Sequence, residues 1–162
     1  MVSEYGGMEG KVALITGGTS GIGKAAATAL AAMGAEVVVT GRDRERAEKA
    51  LAEIRRVSGG PKVSLMLADL AVQTEVRKLA EGFSERHDRL DMLVNNAGLI
   101  QSRRTETPDG IELTLAVNHL APFLLTNLLL EVLERSAPSR IITVSSEARR
   151  SARIDFDDLQ SR

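Results

Sequence analysis

The chain has 162 residues, 43% of them apolar and 27% charged, a balance that suits one folded domain and excludes a disordered or collagen-like polymer. Lysine and arginine total 21 against 22 aspartates and glutamates, so no broad field favours nucleic acid or anionic lipid as a partner. The absence of cysteine removes disulfides, thiolate metal sites and thiol nucleophiles, and His87 and His119 alone are too few for a metal centre.

Residues 1–10 read as a polar, glycine-rich extension with no targeting pattern, and residues 11–162 as one domain. Residues 12–16 form a continuous apolar run, as expected of a strand buried on both faces. A glycine-rich turn follows, then an alanine-rich helix over 21–33 that Gly34 stops. Residues 36–40 are a second strand, and Asp43 is placed to cap a helix over 44–57 with Ala47, Leu51 and Ile54 on its apolar side. A loop at 58–61 leads to a third strand over 63–68 and a helix over 74–87 carrying Val76, Leu79, Ala80 and Phe83.

Residues 90–95 are a fourth strand, followed by a polar loop and a long helix from about 109 to 135 that Pro122 should kink. Along that helix Leu113, Val117, Leu120, Leu124 and Leu128 form one stripe, widened by Ala121, Leu125, Leu129 and Val132. So broad an apolar surface implies either deep burial or a homo-oligomer formed through helix 109–135. The most apolar stretch, 120–133, is interrupted by Thr126, Asn127 and Glu131 and is too short to span a bilayer, so a cytoplasmic protein without a membrane anchor is expected. Residues 141–144 are a fifth strand. The alternation predicts an α/β fold, a doubly wound parallel sheet of five strands joined by right-handed crossovers. Without a sixth strand, the fifth should be an apolar edge.

The turn after the first strand reads Thr16-Gly17-Gly18-Thr19-Ser20-Gly21-Ile22-Gly23. Glycines there allow a tight turn and close approach of a pyrophosphate to the free N–H groups at a helix start. After the second strand, where an NAD site carries a carboxylate for the ribose hydroxyls, the chain reads Thr40-Gly41-Arg42. A guanidinium suits a 2′-phosphate, which favours NADP(H) over NAD(H); a solvated arginine at a charged helix start is the plainer alternative. Lys24 either adds charge or lies on an exposed helix face. Asp69-Leu70 could accept from an adenine amino group or simply enter the next helix, and Asn95-Asn96-Ala97-Gly98 offers side-chain ties plus small residues that admit a flat ring.

Taken in order, Thr-Gly-x-x-x-Gly-Ile-Gly at 16–23, Asp69, Asn-Asn-Ala-Gly at 95–98, Asn118 and Val144-Ser145-Ser146 resemble the short-chain dehydrogenase/reductase family from Lys11 onward. Segments 117–123 and 140–146 are similar to the retinol dehydrogenase and WW-domain oxidoreductase branch. The resemblance implies a Rossmann domain with a cofactor site at Gly17, Thr19, Ser20, Gly21, Ile22, Gly23, Arg42, Asp69, Leu70, Asn96, Ala97 and Gly98. It implies hydride transfer between a nicotinamide and a small-molecule alcohol or carbonyl, lipophilic in that branch. Ser146, with Ser145 as its neighbour, matches the serine that polarises the substrate oxygen, and Asn118 the asparagine that orders a water.

The family's Tyr-x-x-x-Lys is not found: Tyr5 is the only tyrosine, and residues 147–162 hold neither Tyr nor Lys. The chain is therefore expected to be the N-terminal part of a reductase, incomplete at its C-terminus and not competent in hydride transfer alone. A non-catalytic NADP-binding or interaction module is the alternative. A methyltransferase would want a carboxylate after the second strand, and a nucleotide-sugar epimerase fits Asn-Asn-Ala-Gly and Asn118 less well.

Overall fold

Five short strands, β1 (Val12–Ile15), β2 (Glu36–Gly41), β3 (Val63–Leu67), β4 (Met92–Asn95) and β5 (Arg140–Thr143), form one parallel sheet in the order β3-β2-β1-β4-β5. The structure is a computed structural model that describes residues 7–60, 62–150 and 153–161, so Tyr5 and Pro61 lie outside the described residues, as do residues 1–6 of the expected extension. Leu14 of β1 lies opposite Val38 of β2 and Leu93 of β4, and Asn95 lies opposite Thr143 of β5.

Successive strand residues point to opposite faces, so a strand covered on both sides must be apolar throughout. One face carries Leu14, Val38 and Leu93 beneath α3 (Gln73–Ser84), which contributes Val76, Leu79 and Phe83. The other carries Ile15, Val37, Val39, Val63 and Val94 beneath α1 (Gly21–Ala32) and α2 (Arg44–Ser58), with Ala27, Ala31 and Ile54 in contact. Asp43 caps α2 as its sequence position implies, accepting from the Arg46 N–H at 2.9 Å. The fifth strand is an edge, with Ile141 46% and Ile142 41% exposed.

The long helix departs from expectation. It begins at Leu113, not 109, and is segmented: α4 (Leu113–Leu115), a π-turn (Ala116–Leu120), α5 (Ala121–Leu128) and α6 (Leu130–Arg135). Asp109 instead accepts from the Gln73 N–H at 2.8 Å and caps α3, and Glu112 caps α4 by accepting from Thr114 N and Leu115 N. Burial alone would raise the Glu112 carboxyl, but those N–H groups outweigh it and hold it below the usual carboxylate range. In the π-turn the Ala121 N–H reaches back to Ala116 O, and Pro122, which has no N–H, follows at the start of α5.

A π-turn contains one residue more than an α-turn, so it rotates the apolar stripe by one position. The buried set is therefore Val117, Ala121, Leu125, Leu129 and Val132, flanked by Ala116 and Leu133. The stripe read as primary keeps only Val117 inside, leaving Leu128 39% exposed. Phe123 is 64% and Leu130 41% exposed, so burial accounts for only one side of the helix. No helix among the described residues is long and apolar enough to cross a membrane.

At the N-terminal end of the sheet, the buried Asp91 carboxylate accepts from Lys11 Nζ at 2.8 Å, the Val12 N–H at 3.0 Å and Arg89 Nε at 2.6 Å. Burial by itself would push this carboxyl up; the bonds from Arg89, Lys11 and Val12 outweigh it and hold it far below its ordinary value. A depressed carboxyl contributes stability that is present above the unfolded pKa, about 4, and is lost as pH falls through the folded one. Asp91→Ala is expected to cost about 3 kcal/mol at pH 7, with the gap between wild type and variant starting to narrow below about pH 4 and closing only as pH falls through the much lower folded pKa. Urea unfolding across pH tests this; a penalty independent of pH contradicts it.

Candidate functional site

The connection reverses direction between β1 and β4: β2 and β3 lie to one side of β1, and β4 and β5 to the other. In an open α/β sheet, a crevice forms where the strand order reverses, beyond the carboxyl ends of the strands. Here that position holds an open cleft of about 580 Å³. One wall is the turn after β1 with the start of α1, contributing Gly17, Thr19, Ser20, Gly21 and Ile22. Arg42 after β2 and Asp69 with Leu70 after β3 form the second, and Asn96, Ala97 and Gly98 after β4 the third.

Thr16 ties the first wall to the third. Its Oγ1 donates to Val94 O at 3.3 Å and accepts from the N–H groups of Asn96 at 3.0 Å and Ala97 at 3.1 Å. Asn96 Nδ2 returns bonds to Thr16 O at 2.9 Å and Gly17 O at 3.2 Å. The approach is close enough to require glycine: Gly17 has φ +64°, and a Cβ there would stand 3.0 Å from Ala97 Cα. Gly23 does not line the cleft. A Cβ on it would strike Gly17 O at 2.5 Å and the Asn96 amide, so this glycine keeps α1 against the loop.

The first turn of α1 leaves N–H groups directed at the cleft, because Ser20 at the cap position makes no side-chain cap bond. Asp69 Oδ1 accepts from the Ala71 N–H at 3.0 Å. That bond closes a turn ahead of α3. Lys24 pairs with Glu53 at 2.9 Å. The rim has anion donors on one side and small apolar backbone on the other, a lining that suits a phosphate-bearing nucleotide.

Asn118 and Ser146 stand apart from this wall, although their chain neighbours Val117 and Val144 line it. The Asn118 side chain pairs with the Leu99 backbone in both directions, accepting from its N–H at 2.9 Å and donating to its carbonyl at 2.8 Å. That pairing fixes the segment after Gly98 against the π-turn. Ser146 is exposed beyond β5, whose end is held by the Val144 N–H on Asn95 O at 2.9 Å.

Sequence reasoning missed Thr40, Gly41, Ala68, Leu99, Val117 and Val144 as lining residues, and Thr16 as the joint between walls. Thr16 heads the glycine motif and could have been singled out by its hydroxyl at the end of an otherwise apolar run. Val117 and Val144 carry no such signal, since they read as core.

A family model described as short chain dehydrogenase matches residues 11–156. Human retinol dehydrogenase 14 is 44% identical over 167 residues, an alignment covering 95% of this chain and 50% of that protein. The Pseudomonas aeruginosa RhlG/NADP active-site complex is similar in structure at 32% identity and a TM-score of 0.78, covering 95% of this chain and 61% of that one. A short chain dehydrogenase from Escherichia coli CFT073 complexed with NADPH is 27% identical with a TM-score of 0.78, covering 94% of this chain and 65% of that one. The chain spans about half the length of the curated relatives it matches.

Thr16→Val preserves the side-chain shape while removing the hydroxyl, leaving the Asn96 and Ala97 N–H groups without their acceptor. The variant is expected to lose about 2 kcal/mol of stability in urea unfolding. A loss below about 0.5 kcal/mol contradicts the role given to this hydroxyl.

Proposed function

This chain belongs to the short-chain dehydrogenase/reductase family, and on that premise we propose that it is the NADP(H)-binding part of an oxidoreductase acting on a lipophilic small-molecule alcohol or carbonyl. The observation that carries the reading is the cleft at the strand-order reversal, with Arg42 standing where an NAD site would present a carboxylate. When bound, the cofactor supplies the hydride donor or acceptor at its nicotinamide ring.

The remaining work falls to the chain's own side chains. The glycine turn and the first N–H groups of α1 hold the pyrophosphate, and Arg42 meets the 2′-phosphate with charge and fork geometry. The Asp69 carboxylate accepts from the adenine amino group beside Leu70, while Asn96, Ala97 and Gly98 admit the cofactor closely. Val117 and Val144 give an apolar boundary that excludes water. Ser146 donates to the substrate oxygen where charge develops. Asn118, whose amide is engaged by Leu99, acts by holding that loop and the π-turn in place.

The same proposal includes a cytoplasmic protein and association of two copies through the outward side of helix segments 113–135, where Phe123, Leu128 and Leu130 are exposed. A second reading, a binding module without turnover, is favoured by one observation: neither Asn118 nor Ser146 lines the cleft.

Arg42→Ala is expected to weaken NADPH binding by at least about tenfold while changing NADH binding less than about twofold. Calorimetric titration of both dinucleotides measures this. Equal losses, or no loss for NADPH, contradict the 2′-phosphate assignment.

A further inference from the structure

A second depression, of about 410 Å³, lies between the loop after β4, the start of α4 and the C-terminal segment. It adjoins the cleft along the chain: Leu99 and Val117 line the cleft, while Gln101 and Leu115, two residues from each, line the depression. Its frame is tied from both sides. Residues 105–113 fold back on themselves, with the Thr107 N–H on Ile111 O and the Leu113 N–H on Thr105 O, both at 2.8 Å. Gln160 fastens the C-terminal segment to that frame twice. Its carbonyl accepts from Arg104 Nε at 2.9 Å, and its Oε1 accepts from the Glu112 N–H at 3.0 Å.

The charges lining the depression are not equally available. The Glu112 carboxylate is occupied by the N–H groups of Thr114 and Leu115, and Arg104 is engaged by Glu106 at 2.7 Å as well as by Gln160. The Arg103 guanidinium has no hydrogen-bond or ion-pair partner among the described residues. Beside it, Leu115 and Leu159, the latter 50% exposed, supply apolar surface. One unmatched guanidinium next to apolar side chains complements an amphiphile, a hydrocarbon stem that ends in an oxyanion. Glu112 and Glu106 close by favour a single negative charge over two, and a planar carboxylate matches the guanidinium fork. We propose that this depression is a subsite for a carboxylate at the far end of a lipophilic substrate, with Arg103 as its specificity-determining residue. The inference rests on the reading of the chain as part of an oxidoreductase for lipophilic alcohols or carbonyls, and it names a substrate class within that reading.

Octanoate and 1-octanol share a hydrocarbon stem and differ in charge, so they serve as probes. Each would be titrated into wild type, Arg103→Ala and Arg103→Lys, with and without NADP⁺, following amide chemical shifts. Arg77→Ala removes an exposed cation of α3 and controls for general charge. Wild type is expected to bind octanoate about fivefold more tightly than 1-octanol, the scale of one exposed charge pair, with shifts at 101–104, 114–115 and 159–161. Arg103→Ala should abolish that preference and leave 1-octanol and NADP⁺ binding unchanged, and Arg103→Lys should recover part of it. A preference that survives Arg103→Ala, an equal loss in Arg77→Ala, or octanoate shifts elsewhere in the chain overturns the inference. A wild type that binds NADP⁺ but neither probe also overturns it and leaves the NADP(H) reading standing. A wild type that does not bind NADP⁺ overturns that reading and this inference with it.

Discussion

The site depends on one hydroxyl. Thr16 Oγ1 sits where β1 and β4 end side by side, and it accepts the two N–H groups that β4 can no longer pair within the sheet. Its own proton goes to Val94 O. The Asn96 amide closes the arrangement from the other direction through Thr16 O and Gly17 O. A crevice at a strand-order reversal follows from topology alone, but its width does not. Here the width is set by how near the glycine turn can be drawn to Ala97: a Cβ at Gly23 would strike Gly17 O, and Gly17 combines φ +64° with a close approach to Ala97.

The π-turn has a comparable influence on the opposite side of the cleft. By adding one residue to a turn, it places Val117 at the cleft wall and turns Asn118 toward Leu99. The same rotation puts Ala121, Leu125 and Leu129 over the sheet and leaves Phe123 and Leu128 outward. One local irregularity thus couples the packing of the long helix to the position of the loop after β4. Pro122 just beyond it explains why the irregularity is tolerated there, since the following segment already lacks one helical donor.

The parallel sheet was legible because buried strands must be apolar on both faces, and the uninterrupted runs 12–15, 37–39 and 65–68 are apolar throughout. The wall residues of the cleft were legible where a special backbone was required, at the glycines and at Asn96-Ala97-Gly98. What the pattern hid were contacts distant in sequence. Asp109 stands where the long helix was expected to begin but serves α3, and only the tertiary fold brings the Gln73 N–H to it. The helix stripe was misread by one position because periodicity assumes an unbroken α-helix, and nothing in the residues 116–120 themselves announces an i→i+5 bond.

The two ends of the sheet divide the work. Asp91 with Lys11 and Arg89 locks the N-terminal end, while at the C-terminal end Arg42 lines the cleft with no ion pair among the described residues. The most direct test of the account is amide chemical-shift mapping during titration with NADP⁺ and, separately, NAD⁺. The account predicts that NADP⁺ shifts amides at 17–22, 42, 69–70 and 96–98, and that NAD⁺ at the same concentration leaves the Arg42 amide nearly unmoved. Shifts confined to other parts of the chain, or the same response at Arg42 to both dinucleotides, would contradict it.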